Sequence, residues 1–167
     1  GRVLHLQEGF SELPSASAVA RTQDYSLMED VGYAVGKELF DVGVNVDFAP
    51  VVDININPDN PIIGVRSYGS DPEEVSKCAE SMMKGMLRAG IIPVIKHFPG
   101  HGDVMVDSHK ALPIIDKTKE ELSRVELVPF NKLKDIAPMI MSAHLLVTAY
   151  DKENCATLSP ALLKTLL

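Results

Sequence analysis

Three stretches of strand character, one at Val44 that alternates apolar and polar residues and apolar ones at Ile91 and Met139, each run for about a strand's length and lead into polar residues. Segments with the spacing of amphipathic helices lie between them. This alternation restricts the fold more than any other feature, because strands joined by helical crossovers pair in parallel and with right-handed connections. An α/β protein follows.

The stretches between the strands carry clear helix signals. From Asp24 to Phe40 the apolar positions Leu27, Val31, Ala34, Val35 and Leu39 recur at helical spacing, with Gly43 just beyond. Asp71-Pro72-Glu73-Glu74 has the form of a helix start, with an N-cap aspartate and proline in the first turn. Its apolar spacing continues through Met82, Met83, Met86 and Leu87 to Gly90, and those methionines read as core packing. Ala111-Leu112-Pro113 reads as the start of a linker. Thr118 and Glu121 form a capping-box pattern that predicts a helix to about Lys134, and Ser159-Pro160-Ala161 opens a last helix.

Composition narrows the functional classes. With 46% hydrophobic and 23% charged residues in 167, the chain can bury a core. Sixteen basic against twenty-three acidic residues leave a net charge of -7, and the basic residues form no stripe, which argues against nucleic acid as a partner. Cys78 and Cys155 stand far apart and outside any CxxC or metal-ligand spacing, so they read as unpaired thiols. No apolar stretch approaches a membrane span. The opening residues, which start at Gly1 rather than Met, lack the form of a signal peptide and read as the middle of something.

The polar ends of the strands are where parallel α/β proteins keep their chemistry. After Ile91-Ile92-Pro93-Val94-Ile95 come Lys96, His97, His101, Asp103, Asp107 and His109 within fourteen residues. Asp107 and His109 can act as a dyad, the carboxylate accepting from one imidazole nitrogen while the other faces a substrate near neutral pH. Lys96 and His97, at the strand end, can hydrogen-bond the hydroxyls of a small polar ligand, and Arg66 in the preceding long loop can reach the same mouth. Gly100 and Gly102 would let the loop move or approach a ligand closely. Residue chemistry also leaves a metal site open, with His97, His101, Asp103, Asp107 and His109 as donors, although their spacing fits no HExxH or Cys/His signature.

Lys96-His97-Phe98-Pro99-Gly100-His101-Gly102-Asp103, followed by Asp107-Ser108-His109 and Leu112-Pro113, resembles the signature of family 3 glycoside hydrolases in their β-N-acetylglucosaminidase branch. The resemblance extends to Gly1-Arg2-Val3, to Asn45 through Asp53, to Arg66-Ser67-Tyr68-Gly69 and to Met141-Ser142-Ala143-His144. It implies a (β/α)₈ TIM barrel. A full barrel takes about 250 residues, so three clear strands in this length are expected to be part of one, truncated at both ends. Residues 1–167 would then be a partial catalytic domain of the family's N-terminal type.

The implied activity is retaining, metal-independent hydrolysis of a terminal β-linked N-acetylglucosamine, commonly from peptidoglycan fragments, with no cofactor. By the family pattern His109 is the general acid/base and Asp107 its partner, an unusual choice where most glycosidases use a carboxylic acid. Arg66, Lys96 and His97 match sugar-binding positions. The family's nucleophilic aspartate would lie beyond Leu167 and another sugar-binding aspartate ahead of Gly1, so the isolated chain is expected to be inactive and, with open sheet edges, to self-associate. His5 stands where a sugar-contacting arginine is frequent, and Val104 replaces a frequent threonine. A phosphorylase of the same family, a metal-dependent hydrolase and a non-catalytic sugar-binding protein are the alternatives. Relatives occur inside and outside the cell, and neither localisation nor oligomeric state is legible in the sequence.

Overall fold

The structure is a computed structural model that describes residues 8–57, 59–60, 62–104 and 112–166. Its centre is a parallel sheet of three strands in the order β1 (Val46–Asp47), β2 (Ile92–Phe98) and β4 (Met139–Ser142). The three predicted strand stretches form it, in parallel as expected. A second parallel pair joins β3 (Ile114–Ile115) to β5 (Leu146–Val147). The described strands do not close into a barrel.

Strand β2 is central because it is apolar on both faces: Val94, Ile95 and Phe98 are all buried. Such a run belongs in a sheet covered on both sides. Hydrogen bonds place the chain beyond β1 alongside it, with Val94 N donating to Ala49 O, Lys96 N to Pro50 O and Val52 N to Lys96 O. The Val44–Pro50 stretch is thus a strand in direction, but only Val46–Asp47 makes a regular ladder. The register of β2 against β4 shifts between Lys96 and Phe98, and the Lys96–His97 peptide is cis.

The helices follow their caps. A short helix, α1 (Ala16–Ala20), is capped by the Ser15 side chain. Asp24 caps α2 (Tyr25–Asp41), and Asp71 caps α3 (Pro72–Arg88) by accepting from the Glu73 and Glu74 amides. In α3, Val75, Ala79, Met83 and Met86 form the buried face, while Leu87 is exposed. The buried face of α2 is turned from the expected one: Met28, Gly32 and Gly36 are buried, Val31 is half-buried against the core, and Leu27 faces solvent. The reason is how closely the helices pack. A Cβ on Gly32 would lie 2.3 Å from Met82 O, and one on Gly85 would lie 2.0 Å from Glu29 O.

The helix predicted from Thr118 to Lys134 is two helices. The capping box is present and starts α4 (Lys119–Arg124), but α5 (Val128–Leu133) begins anew after a turn. Pro129 favours a break here, since it has no amide to donate to the Val125 carbonyl, and it sits in the first turn of α5, where a missing amide costs nothing. The break leaves Phe130 edge-on to Phe98, with ring centroids 5.2 Å apart, so that α5 packs directly beneath the functional end of β2. Ser159 caps the last helix, α6 (Pro160–Thr165). Cys78 and Cys155 are free thiols.

Candidate functional site

The site is built on the C-terminal end of β2 and the loops beside it. Lys96 and His97 are half-buried at that end, where the strand's alternation gives way to an irregular ladder. Directly beside them lies Asp53, a fully buried carboxylate at the end of the segment that tracks β2.

Asp53 uses both its oxygens. Oδ1 accepts from the His97 amide at 3.1 Å and the His101 amide at 2.7 Å, and Oδ2 meets His97 Nδ1 at 2.6 Å. An ionised carboxylate only accepts, so His97 Nδ1 must carry the proton, which leaves Nε2 as the nitrogen available to a ligand. Burial pushes the Asp53 carboxyl up, but its hydrogen bonds to His97, the His97 charge and the two amides outweigh burial and hold it below the ordinary carboxylate range.

Arg66 is reached from the same aspartate. Ser67 Oγ donates to Asp53 O at 2.7 Å, which fixes the single 3₁₀ turn Gly64–Arg66 against the site. Among the described residues the guanidinium gives one bond, to Ile62 O at 3.2 Å, and has further N–H donors that could serve a ligand. Arg66 and Lys96 line one cavity of about 540 Å³ together with Asp47, Phe48 and Tyr68. Burial, and then the Arg66 charge, lower the Lys96 ammonium, with Asp47 and Asp53 opposing. Burial raises the Asp47 carboxyl, with Lys96 opposing. The cavity therefore sets two cationic donors and one acidic group at the rim of an otherwise largely apolar wall, a common composition for a small-ligand pocket.

The loop after β2 is pinned over its first half. Asn60 Nδ2 donates to His101 O and Gly102 O at 2.9 and 3.1 Å, while its Oδ1 accepts from Ile62 N and Ile63 N. A Cβ on Gly102 would lie 1.7 Å from Ile54 O, so only glycine fits there. Gly102 thus serves close backbone packing, and Gly100, at φ +135°, packs against the Glu126 side chain. His101 is buried, and burial lowers its pKa, with the Asp53 charge opposing.

Three of the sequence-predicted residues, Arg66, Lys96 and His97, are brought to one end of the sheet. Asp107 and His109 lie outside the described residues, as do Gly1 to Leu6 of the opening segment. The described members of the metal-donor set have other partners or positions: His97 Nδ1 is bound to Asp53, His101 is buried, and Asp103 pairs with Lys117. Among the described residues no three His, Cys, Asp or Glu side chains form a group that could hold a metal ion.

Sequence reasoning missed the roles of Asp53, Asn60 and Asp47. Asp53 and Asp47 could have been suspected as acidic residues inside an otherwise apolar strand segment. Asn60, one of several asparagines in a loop, gave no such signal.

The whole chain, residues 1–167, matches the family described as glycosyl hydrolase family 3 N terminal domain. It is 41% identical to a beta-hexosaminidase of Methylococcus capsulatus, over 100% of this chain and 51% of that protein. A glycoside hydrolase family 3 beta-N-acetylglucosaminidase from Paenibacillus superposes with a TM-score of 0.96 at 39% identity, over 99% of this chain and 32% of that one. NagZ from Neisseria gonorrhoeae, in complex with N-trifluoroacetyl-D-glucosamine, superposes with a TM-score of 0.93 at 31% identity, over 99% of this chain and 50% of that one. The chain spans between 21% and 51% of the length of the curated relatives it matches first. Matched over its full length, it belongs to the N-terminal domain family of glycosyl hydrolase family 3.

Proposed function

We propose that the protein carrying this chain removes terminal β-linked N-acetylglucosamine from glycosides such as peptidoglycan fragments, with retention of configuration, and that residues 1–167 are part of its (β/α)₈ catalytic barrel. The observation that carries this reading is the grouping of Arg66, Lys96 and the Asp53-held His97 at the C-terminal end of a parallel sheet. It is supported by the relatives' names, beta-hexosaminidase and beta-N-acetylglucosaminidase.

In this reading Arg66, Lys96 and His97 hold the sugar hydroxyls. His109, with Asp107 accepting from its ring, protonates the departing glycosidic oxygen as a carboxylate nucleophile attacks the anomeric carbon. It then takes a proton from the incoming water as the glycosyl-enzyme is hydrolysed. No residue of this chain is assigned as the nucleophile, so the isolated 167 residues should show almost no turnover.

The test is release of chromophore from an aryl N-acetyl-β-glucosaminide by the full-length protein. His109→Ala should lower kcat/KM about 10² to 10⁴-fold, the range for loss of a general acid/base. Parental activity in that variant would remove His109 from the mechanism. Formation of sugar 1-phosphate when phosphate is added would convert the reading from hydrolase to phosphorylase.

A further inference from the structure

Lys117 lies beyond the segment that bears Asp107 and His109, and nothing in its sequence context marks it. Its ammonium contacts two carboxylates at once: Asp103 Oδ2 at 2.5 Å and Glu126 Oε1 at 2.5 Å. Asp103 precedes the Asp107–His109 segment and Lys117 follows it, so this ion pair ties together the two chain ends between which the segment runs.

Glu126 is the fixed point of the arrangement. It is only 2% exposed, and a Cβ on Gly100 would lie 2.8 Å from Glu126 Cβ and 2.9 Å from Cγ. The carboxylate side chain thus underlies the first turn of the loop while its Oε1 holds Lys117. Its Oε2 is buried and has no partner among the described residues. Burial works against the Lys117 ammonium, but hydrogen bonds to Asp103 and Glu126 more than offset it, so the lysine stays charged.

Both chain ends are also held by packing. Val104 is buried on one side. On the other, Pro113 O accepts from Leu146 N at 2.9 Å, and Ile114–Ile115 pairs with Leu146–Val147. The Lys117 contacts are a polar link between these two anchored ends, which flank a segment whose proposed work needs accurate positioning. Misplacement of a catalytic group by about 1 Å can cost 10²-fold in rate.

We infer that Asp103, Lys117 and Glu126 form a positioning clamp for the acid/base segment, with Lys117 as its central residue. The inference rests on the assignment of Asp107 and His109 to proton transfer. None of the three clamp residues needs to touch the substrate.

The experiment compares kcat/KM of the full-length protein on two N-acetyl-β-glucosaminides. The 2,4-dinitrophenyl glycoside has a leaving group that departs with little protonation, whereas the phenyl glycoside needs a general acid. Lys117→Met and Asp103→Ala should each lower kcat/KM for the phenyl glycoside at least about tenfold more than for the dinitrophenyl glycoside, a part of the full worth of a general acid. Lys117→Met strands the buried Glu126 carboxylate and can cost folding. Asp103→Ala leaves the Lys117–Glu126 pair in place and carries the test on its own. With an active wild type, equal losses on both glycosides, or no loss on either, would overturn the positioning role while leaving the reading of the site intact. A wild type inactive on both glycosides would overturn that reading, and the clamp's role with it.

Discussion

Asp53 accepts from two backbone amides and from the His97 ring, so replacing it separates its structural and chemical contributions. In Asp53→Asn the side-chain oxygen can still accept from the amides, but its NH₂ faces His97 Nδ1 and calls for the opposite tautomer. We expect destabilisation of about 1–3 kcal/mol, the cost of disrupting a buried hydrogen-bonded group. The pH dependence is more diagnostic. A carboxyl held below its ordinary value of about 3.9 contributes stability that is present above that pH and is lost as pH falls through the folded-state value.

His101 acts at higher pH. Its folded pKa is lowered chiefly by burial, so the unfolded chain binds the proton first and stability begins to fall below about pH 6.5. Asp53→Asn should therefore flatten the loss of stability below about pH 4 while keeping or steepening the loss that starts near pH 6.5, because the Asp53 charge favours protonated His101. Denaturant midpoints measured from pH 7 to pH 3 check this. Parallel profiles for variant and wild type below pH 4 would show that Asp53 is not the linked group.

At the scale of elements, the crossing of α2 and α3 holds the layer behind β1 and β2 in place. Its closeness comes from backbone meeting backbone at Gly32 and Gly85. On helix propensity alone Gly85→Ala should stabilise by about 1 kcal/mol. The new Cβ would lie 2.0 Å from Glu29 O and 2.5 Å from Tyr33 N, atoms that cannot rotate away. Overpacking of this kind costs about 1–3 kcal/mol or more, so the clash wins. Net destabilisation should lower the melting temperature by several degrees, at about 2–4 °C per kcal/mol for a domain of this size. An unchanged or raised melting temperature in Gly85→Ala would mean that the helices lie farther apart than described.

For the molecule as a whole, the sheet order β1-β2-β4 leaves β1 and β4 as edges among the described strands. Phe48, Met139, Ile114 and Leu158 are exposed at 58%, 46%, 61% and 69%. Open parallel edges next to apolar side chains favour association. The isolated 167 residues should therefore run as dimers or larger species in light scattering coupled to size exclusion, and mild denaturant should disperse them before it unfolds them. A monodisperse monomer with one cooperative melt would show that these edges and apolar side chains do not drive association.

Local rules placed much of this molecule. The caps at Asp24, Asp71, Thr118 and Ser159 start helices where the sequence alone placed them, because a cap is a bond between residues two or three apart. The same holds for the three parallel strands and for Lys96 and His97 at the end of β2. What tertiary structure decided were contacts between residues distant in the chain. They include the carboxylate of Asp53 fixing a histidine forty-four positions later, Asn60 pinning the loop at His101, and the glycines that bring α2 against α3 and leave Leu27 exposed. They also include Lys117 reaching back to Asp103. Hydropathy and spacing describe the chain's neighbours along the backbone, whereas these groups acquire their roles from desolvation and from partners supplied only when the sheet has assembled.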